Sequence, residues 1–184
     1  MIFLESIISE APQIVVFSCY IWNITYLARV MNNLRIVLPE CIIAAGGPEV
    51  AYNAVKFLEE SACDLVMATE GEAVFPELLR FYMDHPGQMP LSIKGLYIKQ
   101  AGGIIHTGNR EALDFDLVKF PYSSEDLADL TNKIIYYEAQ RGCPFRCSYC
   151  LSSIDKRLRK HDLARVKAEL KFFMDHQVVE KHMR

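Results

Sequence analysis

Three short apolar runs alternate with amphipathic segments in the first half of the chain, and this alternation limits the fold more than any other feature. The runs are Ile14–Phe17, Ile42–Ala45 and Leu65–Met67. Continuous apolar runs of this length are typical of strands that are buried on both faces of a parallel sheet. Strands alternating with helices across short turns predict an α/β fold with a Rossmann-like or flavodoxin-like parallel sheet.

Between these runs the apolar residues recur at spacings of three and four, which is the period of a helix with one buried face. Asn23 stands directly before one of these segments and is predicted to cap its first turn. After the third run, two further apolar stretches flank a glycine pair and predict a β-hairpin. The helices are predicted at 1–9, 24–38, 50–60 and 73–83, and the hairpin strands at 96–99 and 104–107.

The second half of the chain has a different organisation. Residues 109–133 are acidic, lack a clear period and include Pro121, so we expect a linker between one domain at 1–108 and another at 134–184. The second domain is predicted to open with a strand at Ile134–Glu138. Asp162 is predicted to cap a final helix. The inward residues of that helix would be Leu163, Val166, Leu170 and Phe173.

Small and polar residues follow each of the three apolar runs. Ligands of open α/β sheets bind at the carboxyl ends of the strands, so these residues are candidates for a binding site. Glycine after the second run would let the backbone approach a large planar ligand, although the same pair also fits a tight turn. The acidic residues would favour a helix dipole even without a ligand. The candidates are Ser18, Cys19 and Tyr20, then Gly46, Gly47, Pro48 and Glu49, then Glu70, Gly71 and Glu72.

Six cysteines fall into two groups. Cys19, Cys41 and Cys63 are scattered in apolar segments and are expected to be small buried hydrophobes. The other three, Cys143, Cys147 and Cys150, lie within eight residues in the spacing Cys-x3-Cys-x2-Cys. Three thiolates on one short loop suit a 4Fe–4S cluster with one open iron. Arg141 and Arg146 would place positive charge beside the thiolates.

Two other interpretations of the cysteine loop remain open. Zinc needs a fourth ligand, which His161 could supply, and zinc loops mostly pair their cysteines in two separate knuckles. The loop would then belong to a non-radical metal-binding or electron-transfer module with a vacant α/β domain. The basic run at 156–160 is interpreted as a solvated loop rather than an RNA-binding segment.

The segment Arg-Gly-Cys-x3-Cys-x-Tyr-Cys, after a predicted strand, resembles the opening of the partial TIM barrel of radical S-adenosylmethionine (SAM) enzymes. The resemblance implies that Cys143, Cys147 and Cys150 bind a 4Fe–4S cluster. It also implies that SAM chelates the open iron and is cleaved reductively to a 5'-deoxyadenosyl radical. Tyr149 matches the aromatic residue beside the adenine, and Phe145 is a second candidate for SAM contact.

The first half of the chain resembles the cobalamin-binding domain found ahead of many radical SAM enzymes. The points of resemblance are the three strand-end motifs described above. The resemblance implies cobalamin as a possible cofactor, with Ser18 positioned to hydrogen-bond a buried ligand base. In the full-length form such a protein would be an enzyme of unknown substrate, transferring a methyl group or using radical chemistry.

This chain departs from the family pattern at both ends. None of its five histidines lies in a loop that matches the family's cobalt-binding loop. A complete barrel needs more residues than follow Ile134. We therefore expect a fragment that lacks substrate turnover alone and that associates with itself through an unpaired strand edge.

Composition sets the remaining expectations. The net charge of −3 gives no reason to expect nucleic acid as a partner. No apolar run is long enough for a membrane span, and the first residues do not form a secretory signal, so a cytoplasmic location is expected. The expected partners are small-molecule cofactors, a reductant protein and an unknown substrate.

Overall fold

A computed structural model describes residues 2–123, 130 and 133–176. The chain divides into two compact units, Met1–Ala112 and Leu113–Arg184. Parts of the sequence predictions lie outside the described residues, namely Met1, the stretches 124–129 and 131–132 of the predicted linker, and 177–184 of the second domain. Within the described residues no helix is both long and apolar enough to cross a bilayer.

The first unit is built on a five-stranded sheet with its strands in sequence order. The first three strands are parallel, and the last two form the predicted hairpin, which joins the sheet antiparallel to the third strand. The predicted α/β class is confirmed, with a mixed rather than wholly parallel sheet. The strands are β1 (Ile14–Ser18), β2 (Ile42–Gly46), β3 (Leu65–Met67), β4 (Leu96–Gln100) and β5 (Gly103–His106).

Five helices connect and cover these strands. They are α1 (Ile2–Ser9), α2 (Ile24–Val37), α3 (Pro48–Ala51), α4 (Ala54–Glu60) and α5 (Gly71–Asp84). The single helix predicted at 50–60 is wrong. Two helices replace it, because the chain leaves helical geometry at Asn53, a residue type that favours helix starts and turns. Pro48 occupies the first turn of α3, where its missing N–H costs nothing.

The core of the first unit has two parts, one on each face of the sheet. Ile43 and Ala45 of β2 belong to the part that includes α2 and α4, whereas Ala44 between them belongs to the part that includes α5. This division follows from the alternation of side chains along a strand. The prediction that Cys19, Cys41 and Cys63 are buried is confirmed. Burial raises the pKa of the Cys19 thiol to about 11.

The second unit has little regular structure. Its two short strands, β6 (Gln140–Arg141) and β7 (Arg159–Lys160), pair antiparallel, and α6 (Leu163–Asp175) follows. The strand predicted at Ile134–Glu138 is wrong: these residues form no strand, and the strand before the cysteines is β6. Ile134 and Tyr136 are 76% and 80% exposed, so no packed sheet face supports extended pairing there.

The last helix is where the sequence placed it, but its buried face is smaller. The Asp162 carboxylate accepts a hydrogen bond from the backbone N–H of Ala164, which confirms the predicted cap. Phe173 is buried, whereas Leu163 and Leu170, which were predicted to face inward, are exposed. Val166 is half-buried, so the buried apolar face is smaller than predicted.

Part of the stretch predicted as a linker is packed. The ring of Phe120 lies 5.4 Å from that of Phe173, centroid to centroid, and Phe115 is only 2% exposed. Both residues belong to the second unit. The boundary between the two compact units falls at Ala112–Leu113, so residues 113–123 pack within the second unit instead of spanning a gap.

Candidate functional site

The loops after β1 and β2 are joined at the carboxyl edge of the sheet. The backbone N–H of Cys19 donates to the carbonyl oxygen of Gly46 at 2.7 Å, and the N–H of Glu49 donates to the carbonyl of Cys19 at 3.3 Å. Parallel strands end at the same edge, which brings two segments of the predicted site together. These bonds tie the two loops together through their main chains.

Gly47 is required by this junction. Its φ is +102°, and a Cβ there would lie 2.6 Å from the carbonyl oxygen of Cys19. A Cβ on Gly46 would lie 3.2 Å from Cε of Met67. The two glycines were expected to let the backbone approach a ligand. The structure explains both by close approach to neighbouring strand ends.

Asn23 does not cap α2, contrary to the prediction. Its side-chain oxygen accepts a hydrogen bond from the backbone N–H of Tyr20 at 2.8 Å, and its amide nitrogen donates to the carbonyl of Ser18 at 3.0 Å. These bonds compete with capping and close the turn after β1. The Ser18 side chain is consequently held at the exposed end of its strand.

An exposed aromatic pair follows β1; Tyr20 was a candidate from the sequence, whereas its partner Trp22 was missed. The rings of Tyr20 and Trp22 stack with centroids 4.6 Å apart and planes inclined by 6°. Trp22 and Ile21 are each 77% exposed. Tryptophan is seldom so exposed without a partner. The available signal was that the only tryptophan of the chain comes directly after a strand end.

The remaining candidates of the first unit lie at two helix starts. Pro48 and Glu49 are in the first turn of α3, and Glu72 is in the first turn of α5. Both glutamates are exposed, where they favour the positive end of a helix dipole. A Cβ on Gly71 would meet nothing within 4 Å, so this position borders open space.

The cysteine loop of the second unit is closed at its base, here called the neck, by β6, β7 and the residues next to them. Gly142 has φ +87°, and a Cβ there would lie 2.2 Å from the carbonyl oxygen of Arg157. The backbone N–H of Cys143 donates to the carbonyl of Asp155 at 2.9 Å. The first cysteine is thereby fixed at the neck, while the other two lie further along the loop.

Side-chain charges complete the neck. The Asp155 carboxylate accepts from the backbone N–H of Arg157 at 3.1 Å and from the guanidinium of Arg159 at 2.7 Å. Burial alone would raise the pKa of Asp155, but these hydrogen bonds and the arginine charges lower it. The guanidinium of Arg159, in the basic run at 156–160, is thus paired inside the second unit.

A shallow concavity of about 350 Å³ opens beside the loop. Cys147 and Cys150 line it, and Cys143 does not. Tyr149 and Phe145 are 91% and 70% exposed, and Tyr149 lies at the concavity. No three histidine, cysteine or acidic side chains among the described residues are gathered at metal-ligand spacing. The lining residues are Arg146, Cys147, Ser148, Tyr149, Cys150, Leu151, Ile154 and Lys156.

The other charged candidates near the loop have different partners. Arg141 donates through Nη2 to Glu138 at 2.7 Å, which compensates its charge, so Arg146 and Lys156 are the cations at the concavity. His161, the fourth ligand that zinc would need, is 7% exposed and has Nδ1 3.2 Å from the Asp116 carboxylate. The His161 imidazole is therefore in contact with Asp116.

Comparisons with known proteins bear on the family of the chain. Residues 2–79 match the family model described as "B12 binding domain". The cobalamin-dependent radical SAM methyltransferase TokK of Streptomyces tokunonensis is 27% identical over 91% of this chain and 26% of its own length. The 2-(S-pantetheinyl)-carbapenam-3-carboxylate methyltransferase of Streptantibioticus cattleyicolor gives the same figures. The chain thus spans about a quarter of the length of these relatives.

A solved structure shares the fold. The cobalamin-dependent SAM radical enzyme OxsB, with aqua-cobalamin and SAM bound, superposes with a TM-score of 0.73 and 17% identity, covering 92% of this chain and 24% of that one. At this identity the likeness concerns the fold alone. By the domain match and the two methyltransferases, residues 2–79 resemble B12-binding domains, and the chain is similar in sequence to cobalamin-dependent radical SAM methyltransferases.

Proposed function

We propose that this chain contributes a cobalamin-binding edge and the cluster-binding cysteine loop to a cobalamin-dependent radical SAM methyltransferase. One observation carries the proposal: Cys147 and Cys150 share a concavity with two cations, on a loop whose base is fixed at Cys143. The named activities of the relatives, which are methyl transfers, support the same reaction class. The substrate and the reductant belong to the whole protein.

The donor set of the loop suits a 4Fe–4S cluster by its chemistry, although the described residues do not gather three such donors at metal-ligand spacing. Cys143, Cys147 and Cys150 supply three thiols, and a cluster held by three thiolates keeps one iron open. When bound, such a cluster supplies the electron for reductive cleavage of SAM. Arg146 and Lys156 would offset the negative charge of the cluster and its thiolates. Tyr149 and Phe145 would present exposed rings to the adenine of SAM.

Cobalamin would lie at the carboxyl edge of the first unit. The hydroxyl of Ser18 stands at the exposed end of β1, and Tyr20 and Trp22 form a flat apolar shelf next to it. The adjoining loop, after β2, consists of Gly46, Gly47, Pro48 and Glu49. The third loop, after β3, contributes Gly71 and Glu72. Planar ligands gain affinity from aromatic stacking and from loops that are ordered before binding.

The only tryptophan of the chain makes the cobalamin proposal directly testable. Cobalamin absorbs where tryptophan emits, so binding beside Trp22 should quench its fluorescence. We expect quenching that saturates at one equivalent of hydroxocobalamin, beyond the attenuation shown by free N-acetyltryptophanamide. Equal attenuation of the protein and the free indole would contradict binding at this edge.

A variant pair then tests the aromatic shelf. Trp22→Ala is expected to weaken cobalamin binding about tenfold in equilibrium dialysis, the loss expected for one buried aromatic contact of about 1–1.5 kcal/mol. Met83→Ala is the matched control, because Met83 is 81% exposed at the other end of α5. Equal cobalamin affinity in the two variants would show that Trp22 does not contribute to the binding site.

The cluster proposal is tested by anaerobic reconstitution of the full 184-residue chain with iron and sulfide. We expect about four irons per chain and a reduced-cluster electron paramagnetic resonance (EPR) spectrum that changes on addition of SAM. Cys147→Ser should abolish cluster uptake, and Cys41→Ser, at a buried cysteine of the first unit, should not. Tight zinc, or a cluster indifferent to SAM, would favour the metal-binding or electron-transfer alternative.

Self-association through β1 is part of the same proposal. Among the described residues β1 pairs with β2 alone, which leaves its other edge for a further strand. We expect oligomers in light scattering at micromolar concentration. A monodisperse monomer would contradict this expectation.

A further inference from the structure

The segment Leu113–Val118, here called the strap, is bound to the strands and helix around the cysteine loop. Arg159 of β7 donates through Nη1 to the carbonyl of Leu113 at 2.7 Å. Arg165 of α6 donates through Nη1 to the carbonyl of Asp116 at 2.6 Å and through Nη2 to that of Val118. Hydrogen bonds from charged donors are the stronger kind, so the strap is firmly attached.

Phe115 is the apolar anchor of the strap. Its ring stacks on that of His161 with centroids 4.1 Å apart and planes inclined by 13°. The guanidinium carbon of Arg141 lies 5.0 Å from the centroid of the same ring. Arg141 directly precedes Gly142 at the start of the cysteine loop, and His161 directly follows β7 at its end. One buried ring therefore touches both ends of the neck.

Asp116 adds a polar contact to the same end. Its carboxylate lies 3.2 Å from Nδ1 of His161, whose backbone N–H donates to the carbonyl of Ala139 at 3.1 Å. This last bond extends the pairing of β6 with β7 by one step. Displacing His161 would thus loosen the short ladder that closes the neck, since only four residues form its strands.

We infer that the strap is a positioning element for the cluster loop, with Phe115 as its principal positioning residue. The strap acts on the loop through Arg141 and His161, which Phe115 contacts. It holds the neck closed so that Cys143 stays at a fixed place when the loop takes up its cofactor. The inference deepens the proposed function, on which the link to the cluster rests.

A matched pair of variants separates this role from general packing. Phe115→Leu keeps an apolar side chain but loses the flat ring that contacts His161 and Arg141. Phe120→Leu makes the same change at an aromatic residue of the same unit that packs on Phe172 and Phe173 instead. Asp116→Ala, at an exposed side chain, is a third variant with little risk to folding.

The first measurement is hydrogen exchange in the full chain without cofactors. We expect the amide of Cys143 to exchange at least fivefold faster in Phe115→Leu and about twofold faster in Asp116→Ala. In Phe120→Leu the change should stay under twofold. Equal exchange in Phe115→Leu and Phe120→Leu, with Asp116→Ala unchanged, would overturn the inference. If Phe115→Leu does not fold, the exchange rate of the Cys143 amide is compared between Asp116→Ala and Phe120→Leu instead. The inference then requires faster exchange in Asp116→Ala.

The second measurement is the EPR spectrum of the reconstituted chains. Phe115→Leu is expected to bind iron but to give a broadened spectrum with a weaker response to SAM, whereas Phe120→Leu should match the unaltered chain. Identical spectra in both variants would contradict a positioning role. If the unaltered chain takes up no cluster, the proposed function fails, and the exchange measurement alone decides whether the strap holds the neck.

Discussion

Two glycines with left-handed backbone, Gly47 in the first unit and Gly142 in the second, each lie against a neighbouring main chain. The loops that contain them are nevertheless held differently. Backbone hydrogen bonds join the loop of Gly47 to Cys19, at the end of β2, which is buried from Ile43 to Gly46. The loop of Gly142 also has a main-chain bond, from Cys143 to Asp155, but it is held in addition by the ion pair of Asp155 with Arg159 and by the stack of Phe115 on His161.

The difference indicates how each site meets its ligand. Main-chain bonds above a close-packed core leave the carboxyl edge of the first unit little freedom, which favours binding by a preformed surface. The neck of the second unit depends on charge, while most of the cysteine loop is exposed. The second site should therefore respond to pH, salt and its cofactor more than the first.

The largest effect is expected from Gly47→Ala. The substitution adds a Cβ 2.6 Å from the Cys19 carbonyl at a φ that disfavours side chains, so the free energy of unfolding of the first unit should fall by about 2–3 kcal/mol. Gly71→Ala is the control, since its Cβ meets nothing, and should stay within about 0.5 kcal/mol. Denaturant titration measures both. A tolerated Gly47→Ala would show that the first site is as adaptable as the second.

Gly142→Ala should destabilise the neck by about 1–3 kcal/mol and leave the first unit unchanged. The new Cβ would lie 2.2 Å from the Arg157 carbonyl. Hydrogen exchange measures the outcome. We expect the amide of Cys143 to exchange faster and the exchange rate of the Cys19 amide to stay the same. Gly108→Ala shares the positive φ but meets no neighbour, so it isolates backbone strain from collision. Faster exchange at both Cys143 and Cys19 would contradict the expectation that the substitution affects the second unit alone.

An acid-sensitive contact in the second unit is expected to give a smaller effect. Burial alone would raise the pKa of Glu169, but hydrogen bonds from Arg165 and Tyr137 lower it. A lowered folded pKa stabilises the unit above the ordinary pKa of glutamate, about 4.3, and that contribution is lost as the pH falls further. Glu169→Gln should cost about 1–2 kcal/mol at pH 7 and flatten the dependence of stability on pH.

The control for this contact lies in the first unit. Glu77 also has a lowered pKa, caused first by its hydrogen bond with Arg110, but its side chain is 43% exposed and the pair is screened by solvent. Glu77→Gln should therefore change stability less than Glu169→Gln. Unfolding curves at pH 7 and pH 4 measure both. A greater loss of stability in Glu77→Gln than in Glu169→Gln would reverse the expected contrast between the units.

Local patterns in the sequence predicted what local physics determines. The runs that became β1 to β3, the hairpin and the Asp162 cap are each encoded within a few residues. The failures involve distant partners. Ile134–Glu138 has strand-forming residues but no packed sheet face, and the burial of Phe115 depends on His161, far along the chain.

The candidate site divides in the same way. The spacing of Cys143, Cys147 and Cys150 was readable directly, because ligands on one loop need no tertiary contact to be neighbours. The requirement for glycine at position 47 could not be predicted from the sequence, because the atom that excludes a side chain there is the carbonyl oxygen of Cys19. Asn23 has the right type and place for a cap, yet the turn after β1 offers its amide two better partners.

Salt provides the smallest and most general test of the contrast between the units. Raising sodium chloride from about 0.05 to 0.5 M shortens the Debye length from over 10 Å to under 5 Å and weakens exposed ion pairs, which are worth about 0–1 kcal/mol each. Asp155 and Arg159 are partly exposed, with side-chain fractions of 32% and 17%. The amide of Cys143, which depends on this neck, should exchange about twofold faster at high salt.

The amide of Cys19 is the internal reference for the salt measurement. It donates to the Gly46 carbonyl at 2.7 Å, and no ion pair found in the described part of the chain involves Cys19 or Gly46, so its exchange should not change. In Asp155→Asn the salt response at Cys143 should shrink, because the charged acceptor of Arg159 is gone. If Cys19 and Cys143 respond equally to salt, charge does not set the neck apart, and its main-chain bonds and the aromatic contact of Phe115 hold it instead.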